Sequence, residues 1–242
     1  MEFKKILLLL FLGTTCLSFG QNENRIGFFP TIDHSGTISD KLEYSLYYFG
    51  AFNMINSEVN GVKEPSNFFV FYSEQALTYN VNPNLSFTGS YVYERQYPTQ
   101  NNYRNENRFY LQSAYKYNLN KTSIKHRLRY DGRFVQDRMS GTAPFTSRLR
   151  YLIGLQMPLQ KNSDKLYLSM YNEFFFNLDK NAVAIYGENW VYAGIGYKID
   201  KNNAIEAGPL HIFWVNNKEN DLSKFYYLQL TWVNHLDFRK KK

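Results

Sequence analysis

The sequence predicts an all-β fold: a single antiparallel up-and-down transmembrane β-barrel of about ten strands, following a cleaved signal peptide. Three observations carry this expectation. Apolar and polar residues alternate strictly over long runs. Those runs are longer than the strands of ordinary globular sheets. The links between them alternate between tight polar turns and longer loops.

The alternation is clearest between Arg104 and Leu159. Arg104, Glu106, Arg108, Tyr110 and Gln112 share one parity, while Phe109, Leu111, Tyr115 and Tyr117 share the other. Lys125, Arg127, Arg129, Asp131 and Arg133 alternate with Ile124, Leu128, Tyr130 and Phe134. Arg148 and Arg150 alternate with Leu149, Tyr151, Ile153, Leu155, Met157 and Leu159. A period of two is a strand signal, because successive side chains point to opposite faces. One face is apolar and aromatic; the other carries both signs of charge. In an outer-membrane barrel the apolar face meets lipid and the charged face fills the lumen. A soluble, lipocalin-like barrel would turn the aromatic parity inward instead, and it is the alternative fold.

The chain of 242 residues carries a net charge of +7, and 18% of it is aromatic, including 21 Tyr and 20 Phe. Such an excess suits strands and interfacial girdles. The mean hydropathy of −0.48 argues against a helical membrane protein. The one long apolar run is N-terminal. Lys4 and Lys5 precede Ile6 to Leu12, and Ser18-Phe19-Gly20 supplies small residues for a signal peptidase. We expect residues 1–20 to be a signal peptide cleaved after Gly20, since about seven apolar residues cannot span about 30 Å. Cys16 is the sole cysteine and leaves with that segment, so disulfide and thiolate chemistry are excluded from the mature chain. An exported chain with no basic helix and no recognisable nucleic-acid-binding motif gives no reason to expect nucleic acid as a partner.

Residues 21–40 are punctuated by Gly and Pro and read as a periplasmic lead-in. Strands are expected near 41–53, 66–80, 84–96, 103–118, 121–136, 146–160, 164–177, 185–199, 203–216 and 222–238. Membrane-crossing strands need about ten tilted residues, whereas globular strands average about five or six. The runs at 80–84, 118–121, 161–164 and 200–203 are rich in Asn and Asp, which is turn chemistry. The links at 54–65, 97–102, 137–145, 178–184 and 217–221 are longer or less tightly built. An even strand count puts both termini on the short-turn side. In the last strand Leu222, Tyr226, Leu228, Leu230, Trp232, Leu236 and Phe238 share the apolar parity. An aromatic-ended final strand resembles the signal read by barrel-insertion machinery, although the basic tail Arg239 to Lys242 follows it. The barrel therefore spans 41–238.

The strand motifs Arg127-Leu128-Arg129-Tyr130 and Arg148-Leu149-Arg150-Tyr151, with Pro158-Leu159 beyond the second, resemble the bacterial outer-membrane barrel family known as domain of unknown function 2490. The resemblance implies a barrel fold and an outer-membrane location. It brings no catalytic residues with it.

Parity assigns Glu43, Glu74, Glu94, Glu106, Glu173, Glu188 and Glu206 to the lumen, joined by Lys125, Arg127, Arg129, Arg133, Arg148 and Arg150. Symmetric registers across the turns place Glu106 opposite Arg133, Arg108 opposite Asp131, and Arg150 opposite Glu173; Glu206 can face Lys198 and Glu94 can face Arg104. The first three strands bring mainly Glu and the next three mainly Arg and Lys, so the interior is polarised. In a barrel this narrow such charges interlock and fill the interior. The alternative is a narrow channel for small ions or solutes. A third reading is a lipid-modifying enzyme, which needs a Ser, His and acid cluster at the outer rim. His34 precedes the expected barrel, His126 and His211 take the lipid-facing parity, and His235 has no Ser-bearing motif beside it. Glu173 and Glu188 fall close enough in one register to consider acid–base work, although a neighbouring Arg would screen them. We expect no enzyme activity, no metal site and no cofactor. The expected partners are outer-membrane lipid and the insertion machinery, and the barrel is expected to be a monomer with no assigned cargo.

Overall fold

A computed structural model describes residues 22–239 apart from 57, 60, 61, 181 and 216–221. The expected signal peptide and its cleavage site, and tail residues 240–242, lie outside the described residues. The strands are β1 (Asn22–Thr37), β2 (Leu42–Asn56), β3 (Glu58–Val59), β4 (Val62–Lys63), β5 (Asn67–Asn80), β6 (Leu85–Gln96), β7 (Arg104–Leu119), β8 (Thr122–Val135), β9 (Phe145–Pro158), β10 (Leu166–Asn177), β11 (Tyr186–Lys198), β12 (Asn203–Val215) and β13 (Leu222–Asp237). β3 and β4 form a small ladder of their own in the link after β2. The other eleven close into one barrel, in the order β1-β13-β12-β11-β10-β9-β8-β7-β6-β5-β2.

The sheet is mixed rather than purely antiparallel, and the count is eleven rather than about ten. Both corrections come from β1. Residues 22–37, read as a lead-in, form a strand that pairs antiparallel with β2 and parallel with β13, with Asn22 facing Leu222 and Thr37 facing Asp237. Its pattern is hard to see in the sequence. Pro30 has no amide hydrogen to give, and the ladder to β2 skips Phe29 and Pro30. A register jump at Ile26/Gly27 brings the Phe52 carbonyl against Gly27, where any Cβ would collide. Because β1 runs parallel to β13, the chain enters at the long-loop end and leaves at the short-turn end. The start of β1 and the end of β13 therefore do not share a side.

Polar turn residues close the short-turn end. The Asn82 carboxamide oxygen accepts the amides of Asn84 and Leu85 at 2.9 Å each, and the Asp200 carboxylate accepts those of Asn202 and Asn203 at 2.7 and 2.9 Å. Side-chain acceptors reaching two and three residues ahead are the standard stabilisers of such turns. Asn120 adopts φ 56°, which lets Leu119 pair with Thr122 across a tight reversal. That reversal sits one residue later than a symmetric 118–121 turn would put it. Glu106 therefore faces Val135, two residues past Arg133. The other expected pairings slip by the same amount: Arg108 faces Arg133, Glu94 faces Glu106, Arg150 faces Phe175, and Glu206 faces Gly196. An even slip preserves parity, so every side chain stays on its expected face.

At the other end, the loop between β8 and β9 is organised by Asp137. Its Oδ1 accepts the amides of Met139 and Ser140 at 3.0 and 2.7 Å, and the Ser140 hydroxyl at 2.9 Å. These bonds, the Ser140 amide foremost, hold the Asp137 carboxyl below the usual value of 3.8. A depressed folded value means the order they confer is complete above pH 3.8 and is lost as the pH falls through that lower value. Amide exchange at Ser140, taken relative to its intrinsic rate, is thus expected to be slow and flat above that range and to accelerate on acidification. Asp137→Ala abolishes the protection at every pH. Protection that survives in the alanine variant would contradict this account.

Candidate functional site

The polar parity points inward. Glu106 and Arg108 are each 2% exposed and Asp131 is fully buried, while the neighbouring Phe109 and Leu111 are 57% and 71% exposed on the outside. Burying charges in this way is tolerable only when each is paired and hydrogen-bonded. On the wall made by β5 to β10 most of them are. Glu106 takes Arg108 Nε at 2.8 Å and chelates Arg133 through Nε and Nη2 at 2.7 and 2.6 Å. Arg108 also reaches Glu94 at 3.2 Å. Asp131 accepts Arg148 Nε at 2.7 Å, with Arg150 Nη1 at 3.5 Å. Glu173 takes Arg150 Nε and Arg127 Nη2 at 2.7 and 2.6 Å. Glu188 receives Arg148 Nη1 at 3.2 Å and the indole N–H groups of Trp190 and Trp214 at 2.5 and 2.6 Å. Glu74 accepts the hydroxyls of Tyr72 and Tyr110 at 2.7 and 2.5 Å and lies 3.4 Å from Arg129, whose Nε and Nη2 donate to Gln112.

Two of the expected ion pairs, Glu106 with Arg133 and Arg150 with Glu173, thus form on the diagonal despite the slipped register. Three do not. Asp131 goes to Arg148 rather than Arg108, Glu94 to Arg108 rather than Arg104, and Lys198 to Asp164 on the exposed rim while Glu206 accepts the Tyr167 hydroxyl at 2.8 Å. Glu173 and Glu188 do not form a carboxylate pair either, since each is held by its own cations. Glu43 sits near the short-turn mouth and accepts the Asn80 amide at 3.0 Å. His34 belongs to β1, where its ring nitrogens lie 2.6 Å from Asn234 Oδ1 and 2.8 Å from the Tyr44 hydroxyl.

Facing the charged wall is an aromatic column whose parity is its one signal in the sequence. Phe29, Phe49 and Tyr72 stack at 4.4 Å steps, and Phe29 meets Trp190 edge-on at 5.9 Å. Trp190 continues to Phe175, over which the guanidinium groups of Arg148 and Arg150 lie at 4.9 and 4.4 Å. Higher up, Phe69 and Phe225 stack at 5.3 Å with Trp214 against them at 4.8 Å. All but Phe69 share the inward parity of the glutamates on their own strand or register row; Phe69 turns inward at the bulge where the β2–β5 register shifts.

The interior is not solid. A cavity of about 1250 Å³ runs from the short turns, where Asp40, Lys41 and residues 81–84 form its mouth, up through the barrel. A second, of about 340 Å³, lies under the loops against Tyr97 and residues 136–139. Phe69, Gln96, Arg104, Trp214 and Phe225 line both and so form the partition between them. Among the described residues no group of His, Cys, Asp and Glu is arranged to hold a metal ion.

The fold and the inverted interior define a class: a closed β-barrel with its charges inside and an apolar exterior. Within that class the chain belongs to the family described as protein of unknown function (DUF2490), whose sequence model matches residues 31–223, from within β1 to the start of β13. A comparison with the curated proteins finds no match.

Proposed function

We propose that this protein is an integral outer-membrane barrel, built as a monomer, whose lumen is closed by its own side chains and which works as a structural or interaction element rather than as an enzyme. The inversion of polarity carries the reading. Buried Glu106, Arg108, Asp131 and Glu173 face inward while Ile26, Ile55, Leu77, Phe87, Leu111, Tyr130, Ile195, Leu228 and Trp232 are 41% or more exposed on the outside. A surface so apolar over a whole circumference matches lipid, not water. Aromatic side chains gather toward both ends of the strands, as at Tyr115 and Tyr117 near one end of β7 and at Phe134 and Phe145 near the opposite end of β8 and β9. Those are the positions of the two interfacial girdles. The short-turn end would then face the periplasm, the insertion machinery would deliver the chain, and lipid would be its constant partner.

The three tryptophans give a direct test. Trp232 is 49% exposed on the outer face, whereas Trp190 and Trp214 point inward to Glu188. In vesicles with brominated acyl chains, the Trp190→Phe/Trp214→Phe variant is expected to lose most of its fluorescence. The Trp232→Phe variant is expected to keep it. The opposite ranking, or a barrel that folds in water without lipid, would overturn the membrane reading.

A further inference from the structure

The lower part of the large cavity is hollow because its walls are small. Ser45, Thr78, Thr88, Gly154, Ser169 and Thr231 line it where Phe, Trp and Arg line the part above. On β11, Gly194 and Gly196 leave room for the rings of Tyr192 and Tyr167 to lie against the wall.

The polar groups of this hollow are sorted by kind across it. In the barrel order β1 stands diametrically opposite β8, with β13, β12 and β11 continuing the same wall. That wall offers acceptors that are short of donors among the described residues. Asp33 on β1 has no hydrogen-bond partner among the described residues. Gln229 is 5% exposed and spends its amide on Thr231 at 3.0 Å, leaving its carbonyl oxygen unpartnered. Tyr192 is 1% exposed with its hydroxyl oxygen unpartnered, and Glu206, which accepts the Tyr167 hydroxyl, lies between them on β12. The facing wall offers donors with no acceptors. Among the described residues, Lys125, exposed to the interior, makes no ion pair, and Arg127 commits one nitrogen to Glu173 while its buried Nε has no partner. Asp33 and Lys125 feel one another's charge but stand apart. Buried polar groups ordinarily find partners, and the rigid wall of a closed barrel keeps these two sets from reaching each other.

We propose that the hollow is a binding site for a small zwitterionic solute. Its ammonium group sits between the carboxylates of Asp33 and Glu206, and its carboxylate sits on Lys125 and the outer nitrogens of Arg127. An ammonium has three donors and no acceptor, and a carboxylate the reverse, so one amino-acid-like molecule satisfies both walls at once. The volume is ample, since small-molecule pockets start at about 300 Å³. The cavity opens at the short turns, so under the membrane reading the solute enters from the periplasm; the site itself does not depend on that reading, because it is internal whatever surrounds the barrel.

The test is calorimetric titration of the folded, full barrel in detergent with alanine and with alanyl-alanine, alongside N-acetyl-alanyl-alanine and alanyl-alanine amide. At least one free zwitterion is expected to bind, with either cap weakening the dipeptide about tenfold or more, the usual loss for a hydrogen bond to a charged group. Lys125→Met and Asp33→Asn, neither of which touches the Arg/Glu ladder, are each expected to weaken binding by a similar factor. Absence of binding by both zwitterions to a natively folded barrel, equal affinity for capped and free dipeptides, or binding indifferent to both substitutions would each overturn the proposal.

Discussion

Replacing Glu106 with leucine is expected to destabilise the barrel by about 3–5 kcal/mol, the cost of leaving buried cations without their anion. Glu106 is 2% exposed and serves Arg108 and Arg133 together, through four contacts of 2.6 to 2.8 Å. Without it, Arg133 loses both of its bonds, and Arg108 keeps only Glu94 at 3.2 Å. Unfolding in urea, followed by the mobility difference between folded and unfolded barrel on a gel, reads the effect as a lower midpoint. Asp164→Asn is the comparison, because the Asp164–Lys198 pair is exposed on the rim, and pairs of that sort contribute about 0–1 kcal/mol. Adding Arg108→Met and Arg133→Met to Glu106→Leu should recover much of the loss, since an apolar replacement for a whole buried ion cluster is often neutral. Equal midpoints for Glu106→Leu and Asp164→Asn would show that the ladder does not hold the wall.

The second large effect is on conduction. The wild-type barrel is expected to insert into a planar bilayer and pass no discrete current, because the partition of Phe69, Gln96, Arg104, Trp214 and Phe225 separates the two cavities. Phe69→Ala/Phe225→Ala removes the stacked rings at its centre and joins the cavities into one passage lined by Arg25, Glu94, Arg104 and Arg108. Discrete conductance steps are then expected, in a variant first shown to be folded, because truncating a packed Phe costs about 3–5 kcal/mol. Steps from the wild type would replace the closed lumen with the narrow channel. Silence from an inserted double variant would show that the charge ladder closes the bore by itself.

Much of this architecture was legible in the sequence because period two is a strong signal wherever one face is uniformly apolar. Arg104 to Leu159 is such a region, and its parity transfers to the structure without exception among Arg104, Glu106, Arg108, Arg127, Arg129, Asp131, Arg133, Arg148 and Arg150. Register was less legible, because it hangs on which two residues make each reversal. Asn120 in the left-handed region moved the β7–β8 turn by one position and every facing pair by two. β1 was illegible for a different reason. Its inward residues, from Arg25 and Gly27 through Phe29 and Thr31 to Asp33, mix charge, ring and glycine, and Pro30 breaks the outer stripe. The aromatic column went unseen because Phe49, Tyr72 and Trp190 match the outer face in composition; only their parity with Glu43, Glu74 and Glu188 marks them as internal. The hollow could not be read at all, since a cavity is where side chains end, and that depends on how opposite walls meet.

The parallel seam between β1 and β13 has a consequence for biogenesis. A hairpin built from a chain arriving on one side of a membrane returns to that side, and an even-stranded barrel never asks its N-terminus to leave it. Here β1 begins at the loop end and β13 finishes at the turn end. In an outer membrane, the start of β1 must reach the far leaflet before the seam can zip. A leader still tethered in the inner membrane would hold β1 back on the near side, and the barrel would remain a ten-stranded open sheet with β2 and β13 as bare edges. Leader removal would then be more than trimming: it would be the step that licenses closure.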